Sequence, residues 1–140
     1  MVFNEKTITL KNGERCLLRS PEAKDAAEML NYLKKSAAET DFLLRYPEEV
    51  VMTIEEEVNF INFLREAPRG VMICAFINNK LVGTTHLMAI GERFKIFHRA
   101  SFGIAVLKEA WHIGIGNALI TEILKIAEDI GFELVELEVA

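Results

Sequence analysis

A strand that runs into a glycine-bearing turn and directly on into a helix constrains this chain more than any other feature. Ser101 to Leu107 is apolar and strand-like, Gly114 and Gly116 stand in the segment that follows, and Ala118, Leu119, Ile123, Leu124 and Ala127 recur at helical spacing. The first N–H groups of a helix have no intrahelical partner, and the helix dipole makes that end positive. Glycine removes the Cβ atoms that would hold a phosphate off the backbone. The loop from His112 to Asn117 therefore reads as an anion cradle suited to a phosphate-bearing molecule.

The remaining elements follow from local signals. Thr7 to Leu10 alternates and ends at Asn12-Gly13, which predicts a hairpin returning through Arg15 to Arg19. Ser20 as N-cap and Pro21 in the first turn predict a helix to about Ser36, with Ala23, Ala26, Ala27, Leu30 and Leu33 as its apolar stripe. Residues 37–52 read as a loop with one helical turn. Thr53 and Glu56 form a capping box for a second helix, whose apolar side is Val58, Ile61, Phe63 and Leu64 and which ends near Ala67-Pro68. Val71 to Ile77 and Lys80 to Ile90 pair across an Asn78-Asn79 turn, and Phe94 to Phe97 is a short strand or an apolar part of a loop. A strand from Arg99 to Leu107, a helix from about Gly114 to Ile130, Gly131 as its C-terminal stop and a strand from Phe132 to Val139 complete the order β-β-α-α-β-β-β-α-β. The final βαβ unit crosses over right-handedly, so the fold class is α/β with a mixed sheet.

Composition excludes several classes. The formal net charge of −5 argues against general nucleic-acid binding, which usually shows a basic face. No apolar run approaches the roughly 20 residues of a membrane span, and the N-terminus has no signal-peptide core, so the expected location is cytoplasmic. Cys16 and Cys74 sit in apolar strands without ligand spacing and read as buried thiols, and no metal site is expected.

This pattern resembles the GNAT superfamily of acyl-CoA-dependent N-acetyltransferases, whose signature is Arg/Gln-x-x-Gly-x-Gly/Ala between a strand and a helix. Gly114-Ile115-Gly116 matches both glycine positions, while Trp111 stands where Arg or Gln is usual and Lys108 where proline is frequent. Element order, loop position and the Leu137-Glu138-Val139 strand extend the resemblance over essentially the whole chain. A dinucleotide-binding unit, the competing reading of Gly-x-Gly, needs a third glycine where Leu119 stands and usually opens its domain. The resemblance implies a single acetyltransferase domain over residues 1–140 that lacks the family's final helix and strands, stopping after the fifth strand of the family's count. An exposed edge there would favour a homodimer.

The resemblance also implies the site. Acetyl-CoA serves as co-substrate. Its pyrophosphate rests on the N–H groups of His112, Ile113, Gly114, Ile115, Gly116 and Asn117, and its pantetheine arm pairs with backbone around Ile104, Ala105 and Val106. That strand splays from the last one, with the thioester in the gap and the Val106 N–H as oxyanion donor. Trp111 either stacks on the adenine or packs on the sheet rim. The candidate bases are His86, Glu136 and Glu138, each with a structural alternative: a hydrogen-bonded strand histidine, or solvent-facing glutamates of an edge strand. The expected reaction is acetyl transfer to a primary amine of a small molecule or a protein N-terminus, by direct attack in a ternary complex. A catalytically silent acyl-CoA-binding regulatory domain is the alternative.

Overall fold

The computed structural model describes residues 1–39, 53–89, 99–130 and 134–139, the last of these as backbone only. The elements are β1 (Lys6–Thr9), β2 (Arg15–Arg19), α1 (Ala26–Glu39), α2 (Ile54–Glu66), β3 (Gly70–Ile77), β4 (Lys80–Ala89), β5 (Arg99–Val106), α3 (Ile115–Ile130) and β6 (Leu134–Val139). They form one six-stranded sheet in the order β1-β2-β3-β4-β5-β6, antiparallel up to β5 and parallel between β5 and β6. The expected element order and mixed sheet are present. The expected features within residues 40–52 and 90–98, and the Gly131 stop, lie outside the described residues.

Turn chemistry explains the hairpins. Gly13 takes φ +86° in the first, and Asn78 and Asn79 take φ 50° and 65° in the β3–β4 turn, the left-handed pair that a two-residue hairpin requires. Each face of the sheet has its own core. One face packs Val71, Ile73, Ala75 and Leu87 against Ile115, Leu119, Ile123 and Ala127 of α3; the other packs Met72, Cys74 and Phe76 against Met29 and Tyr32 of α1 and Leu64 of α2. The α3 core is what holds the start of that helix against the end of β5. Cys16 and Cys74 are buried free thiols, as expected, and burial pushes both up from the ordinary thiol range.

Several local expectations are corrected. Ser20 does not cap α1: its hydroxyl donates to Met72 O (2.9 Å) and accepts from Phe3 N–H (2.8 Å), so its oxygen is spent on tertiary bonds. A 3₁₀ turn, Ala23–Asp25, starts the helix instead. There Asp25 accepts from Glu22 N–H (2.7 Å) and is held by Arg19 (2.7 and 3.0 Å). The α1 stripe is Ala26, Met29, Leu30 and Tyr32, with Ala23 and Ala27 exposed. The Thr53–Glu56 capping box is present, but the buried row of α2 is Glu57, Ile61 and Leu64, and Phe63 points outward at 59% exposure. On α3, Leu124 faces out, and Ile115, one turn before Leu119, joins the buried row.

Candidate functional site

The loop between β5 and α3 begins where β5 leaves β4. Leu107 N–H donates to Val82 O (2.8 Å), and a 3₁₀ turn, Lys108–Ala110, then carries the chain away from the sheet. His112 at φ 66° and Gly114 at φ +99° hold left-handed backbone, which turns the chain into α3. Among the described residues no hydrogen bond occupies the N–H of His112, Ile113, Gly114, Ile115, Gly116 or Asn117. The first donor of the helix ladder is Ala118, to Gly114 O (3.1 Å). Among the described residues, six consecutive donors at a helix N-terminus are thus open to an acceptor from outside.

The two glycines differ physically. Gly114 is needed for its backbone angle. Gly116 is helical, and among the described residues a Cβ built there meets nothing within 4 Å. Protein packing therefore gives no reason for its bareness, whereas close approach by a ligand does. The loop is anchored to the far hairpin: Lys11 N–H donates to Ile113 O (3.0 Å), and the Lys11 side chain passes 3.8 Å from the Cβ position of Gly114. A cation therefore lies beside the open donors. Glu109 of the 3₁₀ turn receives Lys80 (2.6 Å) and Lys35 (3.1 Å), tying the turn to the β3–β4 hairpin and to α1. Those two ammoniums, Lys80 first, hold its carboxyl below the ordinary range.

Two side chains fix the end of β5. Tyr32, buried on α1, donates its hydroxyl hydrogen to Ala105 O (2.7 Å) and lies 3.2 Å from Thr84 Oγ1. Trp111 Nε1–H donates to Val106 O (2.7 Å). Trp111 therefore sits on the sheet rim, in keeping with the packing alternative. β5 and β6 stay in register from Arg99↔Leu134 through Ile104↔Val139. The expected splay does not reach Ile104, whose register position is taken by β6, and only Ala105 and Val106 lie past the described pairing.

Of the base candidates, His86 lies on β4 opposite Gly103 of β5, and Glu138 of β6 is opposite Gly103 on the other side. The three form one row across the sheet. The imidazole covers Gly103 so closely that a Cβ there would stand 2.6 Å from its Cε1. Glu136 takes the register position of Ser101, two pairs away in the same strand. Sequence reading did not find Lys11 or Tyr32. Their contacts span 102 and 73 residues, and only the Lys before Asn12-Gly13 and the apolar phase of α1 hint at either.

The description of the acetyltransferase (GNAT) family matches residues 29–140. The chain belongs to this family. A GNAT acetyltransferase from Streptococcus pneumoniae superposes with a TM-score of 0.80 at 30% identity, covering 87% of this chain and 73% of that one. The PaiA N-acetyltransferase of Thermoplasma acidophilum, solved with coenzyme A, shares the fold at a TM-score of 0.66 and 19% identity, covering 84% and 74%. The ribosomal-protein-alanine N-acetyltransferase of Brucella melitensis does so at 0.68 and 19%, covering 84% and 70%. No curated protein matches the chain. Among the described residues no helix is long and apolar enough to cross a membrane, and no His, Cys, Asp and Glu cluster suits a metal.

Proposed function

We propose that this GNAT acetyltransferase uses acetyl-CoA to acetylate a primary amine, on a small molecule or a protein N-terminus, by direct attack in a ternary complex. The observation that carries the reading is the run of six unclaimed N–H groups from His112 to Asn117, with Gly116 bare toward open space. A diphosphate accepts several such bonds at once, and the Lys11 ammonium adds charge complementarity. Fold relatives solved with coenzyme A or acetyl-CoA support the same ligand.

Acetyl-CoA supplies the activated acyl group. The amine nitrogen bonds to the thioester carbon, the C–S bond breaks, and the thiolate takes up a proton. The edge N–H of Val106 is the donor assigned to the developing oxyanion. The amine must shed its proton to become a nucleophile, and His86 is the base we favour over Glu136 and Glu138. Its ring lies on β4 against the bare Gly103 of β5, three residues before Val106.

The test measures thiol release from acetyl-CoA over a panel of amines, including peptides with free N-termini. Turnover with at least one amine, reduced at least tenfold in His86→Ala, supports the proposal. Tight coenzyme A binding without release from any amine favours the silent acyl-CoA-binding domain instead.

A further inference from the structure

A single hydrogen bond stands where a ligand strand has to bond. Because Leu107 N–H faces Val82, strand alternation turns the backbone groups of Ala105 toward β4 and those of Val106 toward the opposite edge. That edge lies past the last described pair with β6, Ile104↔Val139. An extended amide chain adding here would donate to the Val106 carbonyl, leaving the Val106 N–H to the thioester oxygen. The carbonyl is already engaged, by Trp111 Nε1–H at 2.7 Å. The indole is 44% exposed. Its ring meets the Lys108 ammonium at 5.9 Å and His112 edge-on at 6.3 Å, contacts that a solvent-facing side chain loses at little cost.

We propose that Trp111 is a placeholder for the ligand: its indole N–H satisfies the Val106 carbonyl in the free protein and is displaced by an amide N–H of the pantetheine arm. The inference rests on the acyl-CoA reading above. It gives the residue at the family's Arg/Gln position a task of its own. The Val106 carbonyl stays satisfied until the ligand's amide arrives. The nucleotide half of the ligand, which carries no amide arm, has no means of displacing it.

Trp111 is the only tryptophan of the chain, so the emission reports on the surroundings of this one indole. The full chain is titrated with coenzyme A and, separately, with 3′-phospho-ADP, following fluorescence and calorimetric heat together. Both are expected to bind. Only coenzyme A is expected to shift the emission to longer wavelength, as the indole enters water. Trp111→Phe is expected to bind coenzyme A about 2- to 10-fold more tightly, the worth of one hydrogen bond, and 3′-phospho-ADP unchanged. Coenzyme A binding that leaves the wild-type emission unmoved overturns the placeholder, as does weaker binding by the variant. Binding of 3′-phospho-ADP without coenzyme A overturns it while leaving the phosphate cradle standing. Failure of both ligands to bind overturns the cradle with it.

Discussion

Gly116→Ala should make the protein more stable and its cofactor binding worse. In the free protein the added methyl meets no atom of the described residues within 4 Å. Position 116 is helical, and alanine in a helix is favoured over glycine by roughly 0.5–1 kcal/mol, less at the first turn. For a domain of this size that raises Tm by about 2–4 °C. The same methyl holds a phosphate oxygen off the N–H groups of residues 116 and 117. Loss of one hydrogen bond to a charged acceptor costs about 1.5–3 kcal/mol, or roughly 10- to 100-fold in Kd. Thermal denaturation and calorimetry with coenzyme A read the two effects separately. Gly114→Ala is the control, because at φ +99° it carries roughly 1–2 kcal/mol of backbone strain and must lower stability. A Gly116→Ala variant that binds coenzyme A as tightly as wild type would refute the reasoning, as would one that is destabilised.

Further outcomes follow from the same geometry. Lys11→Gln should weaken coenzyme A binding about 3- to 10-fold at low salt, with the gap closing as salt rises; a salt-independent loss would point to a fold defect. Gly103→Ala should push the His86 ring aside and reproduce the turnover loss of His86→Ala with Kd for coenzyme A unchanged, and normal turnover would remove His86 from the reaction. Tyr32→Phe should cost about 1–2 kcal/mol in chemical denaturation, because the Ala105 carbonyl loses its side-chain donor. Burial raises the Asp25 carboxyl, but the Arg19 hydrogen bond, the Glu22 N–H and the Arg19 charge outweigh it and hold it below the usual range. The stability this contributes is fully present above the unfolded pKa near 4 and is lost as pH falls through the folded value. Asp25→Asn should therefore flatten the acid limb of the stability–pH curve, and an unchanged limb would show that the pair contributes nothing.

The parts legible in the sequence are those set by local chemistry. Asn12-Gly13, Asn78-Asn79 and Thr53-Glu56 act within a few residues, and each formed the turn or cap expected of it. The strand–glycine–helix segment was equally legible, since its open donors follow from helix geometry alone. What could not be read was set by contacts across the sheet. Ser20 has the composition of a cap, yet Met72 and Phe3 claim its oxygen. Phe63 and Leu124 are apolar but one step off the buried row, and periodicity fixes such a stripe only to within one residue. Lys11 reaches the loop only because β1 and β2 bring their turn beside α3. The continuation of β6 pairing to Ile104 depends on a register that no side-chain pattern encodes.

The central claim is that backbone N–H groups at the start of α3 grip the phosphates of an acyl-CoA. The most direct measurement is an amide ¹H–¹⁵N correlation titration of the full chain with coenzyme A. The resonances of residues 112–117 are expected to move downfield together, at one saturable Kd and ahead of the rest of the spectrum. Binding that leaves those six amides in place while others shift would contradict it.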